Sequence, residues 1–298
     1  MLRGFPLLLG LLGLTWAGGA AGIAVTPNDD AGSLTSTLLG PGITVSGSPS
    51  LTGTSLQSGT FSGGNASGIG MSQGILLTTG YAEDAEGPNG SDNHSRDLGT
   101  AGDSDLTTLA GFSTFDANVL EFDFESAGGD LFFNFVFASE EYNEYVNSQF
   151  NDVFAFFLDG TNIALIPGTD TPVAINNVNG GNPLGTDASH PELYNNNDLD
   201  DGGPFYDLEY DGFTDVLTAQ ALDLSPGSHT MRLAVADTSD HILDSGVFLE
   251  AGSFSSGPIN DNPTPDSPNE VPVPGTLALL GTALLGMGWL RGGARAAA

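Results

Sequence analysis

Between residues 120 and 137 the chain carries the pattern that most narrows its fold. Leu120, Phe122 and Phe124 alternate with Glu121, Asp123 and Glu125, the two-residue period of a strand with one buried and one wet face. Shortly afterwards Leu131–Phe137 is almost wholly apolar and places phenylalanine at 132, 133, 135 and 137. A strand apolar on both sides needs cover on both, as in the middle of a sandwich. Val153–Leu158 repeats that pattern, and Met231, Leu233 and Val235, then Val247 and Leu249, supply two more alternating segments. Weaker strand signals fall at Ile43–Ser46, Ser55–Phe61, Ile75–Thr79, Ile163–Ile166, Val173–Asn176 and Val216–Ala219. Gly, Asn, Asp or Pro punctuates most of the gaps. About ten to twelve short strands joined by turns predict an all-β domain, a β-sandwich or jelly roll with few helices. The best helix signal is Asp30–Leu39, where Asp30 is placed to cap a short helix that Gly40-Pro41 ends.

The charge balance restricts partners and chemistry. Against 37 Asp and Glu the chain has 5 bases, a formal −32, and every base is arginine. Arg3, Arg291 and Arg295 lie at the ends, so Asp29–Glu270 keeps only Arg96 and Arg232 against all 37 acids, a formal −35. Such a surface repels phosphate backbones, which excludes nucleic acid as a partner and favours metal cations. Without lysine there is no Schiff-base chemistry and no phosphate-loop nucleotide site. Without cysteine there is no thiol nucleophile, iron–sulfur centre or disulfide. The 43 glycines and 17 prolines do not signal disorder, because 39% of residues are hydrophobic and 18 are phenylalanine.

Both ends read as targeting segments. Arg3, the apolar run to Trp16 and the small residues Ala17–Ala24 form the three zones of a secretory signal, taken as residues 1–24, with Gly18-Gly19-Ala20 and Gly22-Ile23-Ala24 as alternative cleavage zones. The β domain then spans 25–257 and a Pro/Asn/Asp linker spans 258–270. Residues 271–298 carry Val271-Pro272-Val273-Pro274-Gly275-Thr276, an uncharged run to Leu290, and then Arg291 and Arg295. As a helix over about 274–290 this run reaches roughly 25 Å, the short limit for a transmembrane span, with the arginines left on the cytoplasmic side. The tail resembles the PEP-CTERM sorting signal of bacteria that make exopolysaccharide, although Val273 stands where that signature has glutamate. The resemblance implies anchoring in the inner membrane, removal of the tail by an exosortase-type enzyme, and release to the cell surface or extracellular matrix.

A second resemblance covers most of the remaining chain. Phe137-Ala138-Ser139-Glu140-Glu141-Tyr142, Asn151 to Gly160, Asn162-Ile163-Ala164 and Asp244-Ser245-Gly246-Val247-Phe248-Leu249 together resemble the choice-of-anchor L domain. That family joins one extracellular domain to different surface anchors. The resemblance implies a surface-displayed β domain and carries no activity that can be assigned to residues.

The densest chemistry is carboxylate and amide. Glu140, Glu141 and Glu144 follow one strand, Asn151 and Asp152 open the next, and Asp237, Asp240 and Asp244 fill the loop between the last two. Oxygen donors from several loops are what Ca²⁺ takes, at about six to eight per ion. Glu140, Glu141, Asn151, Asp152, Asp237, Asp240 and Asp244 are therefore the candidate metal ligands; the alternative is a solvated acidic rim. Topology decides whether Asp237–Asp244 join the others.

The loop Asp187–Gly212, with Asn195–Gly203, Asp207 and Asp211, lacks the glycine that an EF-hand needs, since Asp201 holds that position. Its Tyr194, Tyr206 and Tyr210 form a possible ligand lip for sugar rings, weighed against a plain surface insertion. The histidines His94, His190, His229 and His241 are scattered and read as solvent-facing loop residues. No Gly-x-Ser-x-Gly elbow stands on a strand-to-helix turn. The sequence therefore predicts an exported, non-enzymatic surface or matrix protein, stabilised by Ca²⁺ and adhesive toward exopolysaccharide. The alternative is a polysaccharide-degrading enzyme that pairs Glu140 or Glu141 with Asp152.

Overall fold

Phenylalanine on alternate positions of neighbouring strands builds the centre of the molecule. The structure is a computed structural model that describes residues 22–257. Residues 1–21 of the expected signal segment, the expected 258–270 linker and the expected sorting tail at 271–298 lie outside the described residues. Among the described residues, no helix is long and apolar enough to cross a membrane.

Thirteen strands among the described residues form two sheets, and the paired strands run antiparallel. The first sheet runs in the order β1 (Ala24–Pro27), β3 (Ser58–Ser62), β4 (Gln73–Thr78), β13 (Ser245–Glu250), β6 (Gly129–Ser139), β10 (Gly212–Thr214) and β9 (Tyr194–Asn196). β11 (Leu217–Leu224) continues alongside β6 beyond β10. The second sheet is β2 (Ile43–Thr52), β5 (Thr114–Ser126), β12 (Gly227–Thr238), β7 (Val153–Leu158) and β8 (Thr161–Asn162). The expected all-β architecture with few helices is therefore found.

Between the sheets, Phe122 and Phe124 of β5 meet Phe133, Phe135 and Phe137 of β6 and Phe154 and Phe156 of β7. The Phe137 and Phe154 rings stack at 4.7 Å, and Phe135 meets Phe156 edge-on at 4.9 Å, geometries that suit the ring quadrupoles. On the opposite side of β5, Glu121, Asp123 and Glu125 are exposed, as the alternation predicts.

The near-continuous apolar run of β6 has a separate cause. Its second face, Val136 and Ala138, packs with Phe248 of β13 beneath Leu208, Tyr210 and Phe213. The segment expected to be a plain surface insertion is thus a cover for the first sheet. On the second sheet, Ala117, Val119, Ala155 and Ala234 lie beneath Leu106 of a helix at Ser104–Ala110. Asp103 caps that helix by accepting from Asp105 N and Leu106 N, at 2.9 and 3.0 Å. Asp103 also receives the Arg232 guanidinium.

Several local expectations are corrected. Ile163–Ile166 and Val173–Asn176 are not strands, although Ala164, Ile166, Val173 and Ile175 are buried. Pro167-Gly168 turns the chain there, and a single bridge between Leu165 and Pro172 remains. The helix appears as expected at Ala31–Leu38, with the Asp30 carboxylate accepting from Ser33 N at 2.8 Å. His229 is not a loop residue: it lies on β12, 7% exposed, against Phe124. Its Nδ1 meets Asp159 Oδ2 at 2.6 Å and its Nε2 meets the Ser225 carbonyl at 2.8 Å. Two acceptors hold both ring protons, and the hydrogen bond to Asp159 raises the imidazolium pKa.

Two predictions follow from this packing. Phe254, beyond the last strand, packs against Phe122, Phe124 and Phe133 at 5.2–5.3 Å between ring centroids. Phe254→Ala should cost about 3–5 kcal/mol in chemical denaturation. His229 has its pKa raised above 6.5, so its contribution is complete below that value and is lost as pH rises through the folded-state pKa. The contribution is about 1 kcal/mol or less, because Asp159 is half exposed. An NMR titration placing the His229 pKa below 6.5 would contradict this.

Candidate functional site

Antiparallel pairing brings six strand ends to one edge of the sandwich. Ser139 at the end of β6 lies opposite both Ser245 of β13 and Gly212 of β10. Thr78, ending β4, lies opposite Gly246. In the other sheet, Ala236 of β12 lies opposite Val153 of β7. The residues at and just beyond these ends are Glu140, Glu141, Asp244, Asp211, Asp152 and Asp237. Each is at most 3% exposed, and the topology brings Asp237 and Asp244 to the same end as Glu140, Glu141 and Asp152, a point that the sequence leaves open. The acids form an interior seam in place of a solvated rim.

Asp152 ties the sheets together. Its Oδ1 accepts from Thr238 N and its Oδ2 from the Ser245 hydroxyl, both at 2.8 Å. The Ser245 hydroxyl lies 2.8 Å from that of Ser139, which in turn accepts from Glu141 N at 2.9 Å. The Asp244 Oδ1 accepts from Arg96 N at 3.0 Å, while its Oδ2 has no hydrogen-bond partner. Glu140 Oε2 and Glu141 Oε2 are likewise buried without one. The two predicted ligands at the margin are Asp240, which accepts from Ile242 N at 3.3 Å, and Asn151, whose Oδ1 is committed to Asn176 N at 2.8 Å.

Burial pushes these carboxyls up, and their neighbours add to the effect. Glu140 is raised by burial, then by Asp211 and Glu209; Glu141 by burial, then by Asp152. Asp152 and Asp237 are raised chiefly by burial. Asp244 is raised to about 6 and Asp211 to about 8, in both cases mainly by burial. The described arginines are engaged elsewhere: Arg96 binds Asp84, and Arg232 binds Asp103 and Asp105. An ionised carboxylate buried without a counter-charge costs several kcal/mol. The seam must therefore hold protons or take up a cation.

The covering loop supplies more acids to the same end. Asn197, fully buried, donates to the Leu208 and Tyr210 carbonyls and accepts from Phe205 N and Tyr206 N, all at 2.8–3.0 Å. Its four bonds fold the loop inward and set Asp198 and Asp211 facing the 89–92 segment. Asn89 is 4% exposed and donates to Asp211 Oδ1 at 2.5 Å. Sequence reasoning missed Asp92 and Asn89 because nothing local ties that segment to residue 211. It left Asp211 in a separate loop because the three-residue β10 is too short to register as a strand.

The tyrosines do not form an open lip. Tyr210 is 3% exposed, with its hydroxyl 3.1 Å from that of Thr78. Tyr194 donates to Asn143 Oδ1 at 2.5 Å, and Tyr206 sits edge-on to Phe213 at 4.8 Å. The paired-carboxylate reading of catalysis meets a similar obstacle: Glu140, Glu141 and Asp152 are 1%, 1% and 0% exposed, which leaves a sugar chain no access between them.

A pH dependence follows for the metal-free chain. These groups bind more protons in the folded than in the unfolded state, so stability falls as pH rises from the unfolded carboxylate value near 4 to the folded value of about 8 for Asp211. Melts in EDTA should show a midpoint that declines across this window, and Asp237→Asn should flatten the decline. A midpoint that rises with pH would overturn the assignment.

The family model for the choice-of-anchor L domain matches residues 26–255, well over half of the chain, and the chain belongs to that family. No curated protein and no solved structure matches it.

Proposed function

We propose that this choice-of-anchor L protein is an exported, surface-displayed β domain without catalytic function, whose acidic seam takes up Ca²⁺ outside the cell. Family membership supports the exported, surface-associated part, and the family is not a known enzyme family. The observation that carries the calcium part is the seam of Glu140, Glu141, Asp152, Asp237 and Asp244, each at most 3% exposed and none bonded to a guanidinium. Calcium reaches millimolar levels outside cells, and extracellular modules bind it with Kd of about 10⁻⁴–10⁻³ M.

Delivery in this reading uses the N-terminal signal and the exosortase-type tail at Val271–Thr276, with the apolar run before Arg291 holding the chain in the membrane until cleavage. Ile23 is 6% exposed and Ala24 pairs with Ser62 in β1. Signal-peptidase cleavage after Ala20 keeps that strand whole, whereas cleavage after Ala24 removes its first residue. Adhesion to exopolysaccharide gains no support from the inward-turned tyrosines and is left to binding assays.

Thermal melts of the full chain in EDTA and in Ca²⁺ test the calcium reading. At about a hundredfold excess over Kd, binding adds about 2.7 kcal/mol, or roughly 5–10 °C for a domain of this size. Superimposable melts would sink it.

A further inference from the structure

Next to the inner seam, three carboxylates from two separated stretches of chain meet at the edge of the covering loop. Asp92, Asp198 and Asp211 each present one oxygen, and these oxygens lie within 4.8 Å of one another. Asp198 and Asp211 are 1% and 0% exposed. The shell around them is asymmetric. Asp198 Oδ1 accepts from Asp200 N and Asp201 N at 2.7 and 3.2 Å, and its Oδ2 accepts from Asn143 N and Nδ2 at 3.2 and 3.3 Å. Asp211 Oδ1 accepts from Asn89, but its Oδ2 has no hydrogen-bond donor, and neither has the buried Oδ1 of Asp92. The carboxyl of Glu140 also meets Asp211, and it is another acid.

We propose that Asp92, Asp198 and Asp211 form a second divalent-cation site, adjoining the inner seam at Asp211, that pins the segment around Asp92 to the covering loop. Two oxygens that share one ion, each about 2.3–2.6 Å from it, stand at most roughly 5.2 Å apart, so oxygens all within 4.8 Å of one another can share a Ca²⁺. The donors are hard oxygens without nitrogen or sulfur, which selects Ca²⁺ over transition metals. Glu144 stands exposed beside Asp198 and Asp92, where it is placed to complete the shell together with water. The site adjoins the seam at Asp211, which meets Glu140, and is told apart from it by Asp92 and Asp198, which belong to the 89–92 segment and the covering loop.

The test is Ca²⁺ titration calorimetry of the full chain and of Asp92→Asn, with tyrosine-sensitised Tb³⁺ emission as a second readout, Tyr194 being the antenna near Asp198. Asp92→Asn should lose one Ca²⁺ equivalent, or at least tenfold in its affinity, and most of the sensitised emission. Its EDTA melting point should stay at or above that of the parent. Should Asp211→Asn fold, it should reproduce the loss. Unchanged stoichiometry and affinity in Asp92→Asn would overturn the site, as would a melting point lowered equally with and without Ca²⁺. Loss confined to Asp152→Asn or Asp237→Asn would overturn it too, while leaving the inner seam standing.

Discussion

Asp152 is bonded from both sheets at once: Thr238 N of β12 holds one oxygen and the Ser245 hydroxyl of β13 holds the other. A carboxylate fully out of water is stable only with donors on it, and here the donors are the ends of the strands themselves. The two sheets must close to a fixed separation at this edge for the bonds to form. That closure carries Glu140, Glu141, Asp237 and Asp244 inward with Asp152. The phenylalanine core sets the spacing of the sheets along their length, and the Asp152 link sets it at the acidic edge.

The same edge explains the covering loop. Tyr210 and Phe213 pack on the outer face of the first sheet, and Asn197 satisfies the backbone of the turn that brings them there. Once seated, the loop carries Asp211 against Glu140 and Asp198 toward Asp92. The apolar packing that covers β6 and β13 thus also gathers charge, which is costly in water-free surroundings and favourable once a cation is present.

The sequence made the principal strands legible because their side-chain period is local. Phe122 and Phe124 alternating with acids marks β5, and the phenylalanines of β6 mark a strand covered twice. The Asp30 cap was legible for the same reason. The buried run at Val173–Ile175 misled because burial without hydrogen-bonded pairing looks the same in sequence as a strand. His229 misled because its partner, Asp159, is distant in sequence. Of the candidate site, the residue types and five of its acids were legible at strand ends, whereas Asp92, Asn89 and the membership of Asp211 were not.

By itself the sequence determined an all-β, strongly acidic domain with its acids clustered at strand boundaries, since alternation and composition are properties of neighbouring residues. Only the tertiary structure decided that these acids face inward. Antiparallel order places the ends of β4, β6 and β12 beside the starts of β7, β10 and β13, and the register of those strands fixes which carboxylates meet. A side chain's dielectric surroundings and counter-charges are set by segments remote in sequence. Whether acids at strand ends make a wet rim or a buried seam is therefore settled by packing rather than by composition.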